Sequence, residues 1–243
     1  MRTNPSAQVL LTLQPDPLAP HPEEVERYVE ALQLLAEDDP DLARRQTWNQ
    51  IRLAGMRAGR HRAEAHDSLN HIFRLGALPK PAPDGHFEGL AITPATFAAT
   101  DPVLRVLSHL WMPWLGKRFD AGAQTGDNAM LPSARLPSRL FWPGYRFRSI
   151  GDGRYAAFRF RTYAGAGALD RERRVLKIDY DLDENPGFLI RDILDELVQV
   201  VPDVYLGKAL MRRGGPTNSS WRLAGYFALR PATLSSTLVS DLS

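Results

Sequence analysis

Between Val175 and Leu182, Leu176, Ile178, Tyr180 and Leu182 alternate with Lys177, Asp179 and Asp181. Successive side chains of a strand point to opposite sides, so this pattern predicts a strand with one apolar and one charged face. Tyr155–Tyr163 repeats it, with Phe158 and Phe160 on one face and Arg159, Arg161 and Tyr163 on the other. In Val204–Arg212, Val204, Leu206 and Leu210 share a face with Lys208, while Tyr205, Gly207, Ala209 and Met211 form the opposite one. Trp221–Arg230 is apolar on both faces. Shorter strands are expected at His86–Thr93, Leu140–Trp142, Tyr145–Ile150 and Leu197–Val201, with turns at Gly151-Asp152-Gly153, Pro202-Asp203 and Gly214-Gly215-Pro216. Leu189, Ile193 and Leu197 favour a helix over 188–196, and the Gly-, Ala-, Pro- and Ser-rich stretch 121–139 reads as a long loop. A strand that is apolar on both faces must be covered on both. A curled antiparallel sheet, closed into a barrel and backed by helices, satisfies that requirement.

The helices precede the strands. Val25, Tyr28, Val29, Leu32 and Leu35 recur at helical spacing behind Pro22, with Glu23 and Glu24 in the first turn. Asp39-Pro40 restarts the helix, with Asp39 as its N-cap, and Trp48, Ile51, Leu69, Ile72 and Phe73 continue the apolar face to a C-cap at Gly76. Gly55 and Gly59 mark a bend or a close helix contact. Thr93-Pro94 and Asp101-Pro102 are expected to open two further helices. The organisation expected is an arm over 1–21 with an edge strand at Gln8–Leu13, a helical subdomain over 22–76, a proline-punctuated linker (Pro79, Pro81, Pro83), a barrel over 85–230 and a tail over 231–243. The fold class is therefore α+β: an antiparallel β-barrel with an N-terminal helical subdomain.

Composition narrows the function classes. Thirty Lys and Arg stand against 28 Asp and Glu, a net charge of only +2, which argues weakly for a nucleic-acid partner. The arginines and histidines of 44–66 lack the aromatic interleaving of single-strand binders and face nearby acids, so no nucleic-acid partner is expected. The chain has no Cys, which removes disulfides, thiolate metal sites and Cys nucleophiles and fits a cytoplasmic location. No run approaches the roughly 20 apolar residues of a membrane helix, so no membrane span is expected. The six histidines end at His109, no spacing suggests zinc, and no Gly-rich phosphate loop or nucleophile elbow is present, so no metal or cofactor is expected.

The candidate chemistry lies in the strands. Asp179, Asp181, Asp192, Asp195 and Glu196 offer paired carboxylates for acid–base work, with Asp179 and Asp195 as catalytic candidates. The competing reading is an outer face paired with Lys177, Arg159, Arg161 and Arg191. Lys117, Tyr180, Tyr205, Lys208 and Tyr226 are candidate polar contacts in an otherwise apolar cavity. Lys208, on an apolar face, reads equally as a ligand contact or a structural ion pair. Trp111, Trp114, Phe119 and Trp142 read as core or as cavity wall.

Two short segments add a resemblance. Gly85-His86-Phe87-Glu88-Gly89 resembles the Gly-x-Trp-x-Gly signature of the GXWXG-type proteins, with Phe87 in place of Trp, and Trp114-Leu115-Gly116-Lys117-Arg118-Phe119-Asp120 resembles the segment that follows it there. Ile178–Asp181, Asp192–Glu196, Tyr205–Ala209 and Gly225–Leu229 are similar to the second half of that family. The resemblance spans about residues 85–230 and leaves the helices unexplained. It implies a lipocalin-like β-barrel that binds a small apolar or amphipathic molecule, lipids included, and carries over no catalytic residue. Three functions follow as expectations: a small-molecule binder; an isomerase, cyclase or hydrolase in the same cavity; or an interaction protein whose helices over residues 22–76 mediate homodimerisation or partner docking.

Overall fold

The computed structural model describes residues 21–57, 62–94, 113–214 and 220–232, together with Pro15. The expected strand at Gln8–Leu13, the bodies of the helices expected after Pro94 and at Asp101-Pro102, Trp111 and most of the tail lie outside the described residues.

Among the described residues, three helices come first: α1 (Pro22–Asp38), α2 (Pro40–Arg57) and α3 (Arg62–Leu75). Asp39 caps α2 as expected, its Oδ1 accepting from Leu42 N at 3.0 Å. Nine strands follow: β1 (Gly85–Pro94), β2 (Trp114–Asp120), β3 (Thr125–Met130), β4 (Arg148–Gly151), β5 (Arg154–Ala166), β6 (Arg174–Asp179), β7 (Ile193–Val201), β8 (Val204–Arg213) and β9 (Ser220–Pro231). A short helix, α4 (Arg135–Phe141), lies between β3 and β4. The ladder runs β3-β2-β1-β9-β8-β7-β6-β5, and β3 then pairs with β5. That pairing closes an eight-stranded antiparallel barrel, leaving β4 as a flap on β5. The expected fold class holds: a lipocalin-like antiparallel barrel with helices near the N-terminus.

The two faces of the wall feed two apolar clusters. Inward residues such as Phe119, Phe160, Ile178, Leu197, Tyr205 and Phe227 form the barrel interior. Outward residues such as Ile92, Val198, Val204, Leu206 and Ala228 join Val25, Leu32, Ile51, Leu69 and Phe73 of the helices in the second cluster. The apolar stripe of α1 is therefore buried against the chain's own barrel. Gly55 marks a close contact, since a Cβ there would lie 2.7 Å from Ile92 Cγ2. Lys208 and Tyr226 belong to this helix-facing side: Lys208 Nζ donates to Asn70 Oδ1 at 2.6 Å and is ion-paired with Asp170, which also accepts from Arg74 Nε at 2.6 Å.

Several local expectations are corrected. The stretch 121–139 is not one loop, because it contains β3 and the start of α4. Its Thr-Gly-Asp-Asn-Ala-Met strand shows little apolar alternation because a bulky side chain is supplied from across the ladder: Phe160 fills the space beside Gly126, where a Cβ would fall 2.4 Å from the ring. Leu140 and Phe141 belong to α4, not to a strand. Residues 193–201 form β7, and 188–192 are turn. β7 is buried on nearly every residue and paired on both sides, so its pattern is neither helical nor alternating. Tertiary pairing overrides the helical spacing of Leu189, Ile193 and Leu197.

Candidate functional site

The barrel interior differs between its two ends. At one end Phe87, Phe119, Phe160 and Tyr205 pack ring against ring, with centroids 5.4–5.6 Å apart, and fill the lumen. At the other end the wall encloses a cavity of about 50 Å³. One water needs roughly 10–15 Å³ by this measure, so the space suits a few waters or one small ligand group. Trp114, Met130, Phe158, Ile190, Ile193 and Phe227 supply apolar walls, and Lys117, Asn128, Tyr180 and Asp195 supply the polar side.

Adjacent strands bring these residues together. β1 and β2 pair with Glu88 opposite Gly116, so the Gly85–Gly89 and Trp114–Asp120 segments are neighbours. Gly116 has φ +146°, and a Cβ there would lie 2.0 Å from the Phe87 carbonyl oxygen. A Cβ on Gly89 would fall 2.3 Å from the Trp114 ring. The two glycines let the strands approach and let the indole pack close against β1, beside Lys117.

Lys117 is 2% exposed, and its Nζ is the centre of the polar group. It is 2.8 Å from Asp195 Oδ2 and donates to Asn128 Oδ1 at 3.0 Å and to the Tyr180 oxygen. Tyr180 donates its own proton to Asp195 Oδ2 at 3.0 Å. Asn128 accepts also from Trp114 Nε1 at 3.0 Å and donates to the Phe158 carbonyl at 3.1 Å. Rings of Trp114, Phe160, Tyr180 and Phe227 surround the ammonium at 5.1–5.6 Å. Burial pushes the Lys117 pKa below the ordinary lysine value, against the opposing pull of Asp195. Burial and the Asp195 charge hold the Tyr180 phenol well above its ordinary value, so it stays protonated.

The site also contains backbone strain. Phe158 has φ +51°, uncommon for an aromatic residue, at an irregularity of the β3–β5 ladder. Both of its backbone groups are held by side chains: its N–H donates to Tyr145 Oη at 2.6 Å, and its carbonyl accepts from Asn128. Tyr145 stacks on Phe158, and Trp142 meets the same ring edge-on while donating its indole N–H to the Phe188 carbonyl at 3.0 Å.

Of the residues singled out from the sequence, Trp114, Lys117, Tyr180 and Asp195 meet at this cavity. Phe119 and Tyr205 are inside the barrel but at its filled end, where burial first and Asp203 second push the Tyr205 pKa up to about 12. Lys208 and Tyr226 are on the other side of the wall, beneath the helices, and do not line the cavity. Asp179 is held by Arg161 at 2.7 Å and does not line the cavity either; Asp181 pairs with Arg191 at 2.8 Å. Within the acidic cluster, Asp195 alone lines the cavity, because it shares the lumen face of β7 with Ile193 and Leu197 while Glu196 faces outward to Lys177 at 2.8 Å. Asn128, Phe158, Ile190 and Phe227 were not singled out. Of these, Phe158 and Phe227 were legible as strand residues, whereas Asn128 had no signal in a stretch read as loop.

Among the described residues, no group of three His, Cys, Asp or Glu side chains could hold a metal ion, and no helix is long and apolar enough to cross a membrane. No family model, curated protein or solved structure matches the chain.

Proposed function

We propose that the barrel cavity binds a small, predominantly apolar, uncharged molecule that places one polar atom beside Lys117, Tyr180 and Asn128. The observation that carries this reading is a buried cation in a cavity walled mainly by apolar side chains and already neutralised by Asp195 at 2.8 Å. A fatty-acid carboxylate would set a second anion against one cation in a low-dielectric site, which is unfavourable. A carbonyl or hydroxyl oxygen adds a hydrogen-bond partner without that charge. The pairing of the Gly85–Gly89 and Trp114–Asp120 segments on β1 and β2 supports kinship with the GXWXG-type proteins as part of the same proposal.

Ligand-observed NMR with 1-butanol and with butyrate tests the reading. Binding of 1-butanol and not butyrate is expected, and loss of that binding in Ala91→Trp, which blocks an exposed position of the cavity lining. Preference for butyrate, or binding indifferent to Ala91→Trp, contradicts it.

A second reading, proton transfer on a bound carbonyl compound, is favoured by the Tyr180 hydroxyl lying 3.0 Å from the Asp195 carboxylate inside the cavity. Deuterium exchange at the α-carbons of 2-butanone in D2O should then accelerate with the wild-type chain and not with Asp195→Asn. Equal rates would set this second reading aside.

A further inference from the structure

Thirty residues of this chain are Lys or Arg, and only four are lysines: Lys80, Lys117, Lys177 and Lys208. Three have other places. Lys80 is exposed in the linker, Lys177 pairs with Glu196 on the outer wall at 2.8 Å, and Lys208 is ion-paired with Asp170 under the helices. Lys117 alone lines the cavity. Arginine meets most of this protein's need for fixed positive charge, and its guanidinium does not deprotonate in proteins. A lysine differs chemically in that its amine can lose a proton and attack a carbonyl carbon.

We infer that the cavity takes aldehydes or unhindered ketones and holds them covalently as an imine on Lys117. The inference rests on the proposed binding of small uncharged molecules in this cavity and specifies their class.

The step balances without an added reagent. Lys117 transfers one proton from its ammonium to Asp195 Oδ2, 2.8 Å away. The freed amine lone pair attacks the carbonyl carbon and forms the C–N bond. The carbonyl oxygen takes a proton from Tyr180, which recovers one from Asp195 through their 3.0 Å contact. The resulting hydroxyl leaves as water with a second proton passed along the same Lys117–Asp195–Tyr180 contacts, and the C=N bond forms. The nitrogen keeps its third proton, so the imine forms protonated and the starting charge is unchanged. The sum is one aldehyde and one ammonium giving one protonated imine and one water. The positive charge therefore stays beside Asp195 before and after reaction, and no uncompensated charge is left in the interior. Burial lowers the ammonium's hold on its proton, which favours the first transfer. The surrounding rings of Trp114 and Phe227 leave apolar room for an alkyl chain.

The test uses the full-length chain with straight-chain aldehydes from propanal to hexanal and sodium cyanoborohydride to reduce any imine to a stable secondary amine. Intact mass and peptide mapping then compare Lys117 with Lys80 and the α-amino group. The expected result is a single alkyl addition at Lys117, at least about tenfold faster than at Lys80, slowed by 1-butanol and absent at position 117 in Lys117→Arg. Labelling of Lys80 and the α-amino group with Lys117 untouched overturns the inference. If 1-butanol nevertheless binds by NMR, only the imine chemistry falls and the cavity reading stands. If neither aldehyde nor alcohol engages the cavity, both fall.

Discussion

At the scale of single residues, the barrel interior depends on one buried ion pair, which Asn128 and Tyr180 join by hydrogen bonds. Lys117 and Asp195 are buried together, and removing either leaves the other uncompensated. Breaking a buried pair from one side typically costs about 3–5 kcal/mol, whereas replacing both partners with apolar groups is often close to neutral. Lys117→Met should therefore lower unfolding stability in urea by about 3–5 kcal/mol, and Lys117→Met/Asp195→Leu should recover most of that loss. Additive losses in the double variant would contradict the pairing. Gly116 provides a backbone test of the same site. Gly116→Ala combines a positive φ with a clash against the Phe87 carbonyl and should cost at least about 1–3 kcal/mol. Gly122→Ala, whose added Cβ meets only Asp120 Oδ1 at an ordinary 3.5 Å, should stay within about 0.5 kcal/mol of wild type. Equal effects at the two glycines would show that β1 and β2 do not approach as described.

At the scale of elements, the helical layer is fastened to the wall by one buried polar cluster as well as by apolar packing. Asp170, between β5 and β6, reaches both Lys208 on β8 and Arg74 on α3. Burial alone would raise the Asp170 pKa, but the hydrogen bonds and charges of Lys208 and Arg74 outweigh it and hold it below the ordinary carboxylate value. A depressed folded-state pKa contributes stability that is fully present above the unfolded value, near 4, and is lost as the pH falls through the folded value. Wild type should therefore lose more stability than Asp170→Asn between pH 6 and pH 3, measured as the shift in urea midpoint. Parallel loss in the two proteins would remove Asp170 from the fastening. Hydrogen exchange in α3 should also quicken in Asp170→Asn at neutral pH, while the β7–β8 ladder stays protected. The elements differed in how legible they were. The strands of 155–163, 175–181, 204–212 and 221–230 show which side chains share a face, and the α1 stripe shows which side of the helix is buried. β3, β7 and α4 were not legible. β3 borrows its bulk from Phe160, β7 is covered on both faces, and α4 exposes Leu136 and Leu140. The site was half legible for the same reason: Lys117, Tyr180 and Asp195 are named by their chemistry, but Asp195 is separated from Glu196 only by the register of β7.

At the scale of the molecule, the closed barrel, its helical backing and its one polar lumen patch support a single account. One end is filled by Phe87, Phe119, Phe160 and Tyr205, and the helices bury the outer wall of β1, β7, β8 and β9. The cavity end alone combines free volume, buried charge and backbone strain at Phe158. These features coincide where a barrel meant only to be stable would be filled with apolar side chains, since well-packed hydrophobic replacements of a buried ion pair are often at least as stable. The proposed ligand recognition lies inside the barrel, and the helices pack on its outside. The central claim can be located to one methyl group. Met130 lines the cavity and is 3% exposed, whereas Met56 on α2 is 68% exposed and is not among the lining residues. With methionine methyls labelled with carbon-13, titration of 1-butanol should give a saturable shift of the Met130 resonance that disappears in Ala91→Trp, with Met56 unmoved. An unchanged Met130 resonance up to the solubility of the alcohol, or equal non-saturating shifts at Met130 and Met56, would contradict the claim that this barrel receives a small uncharged molecule.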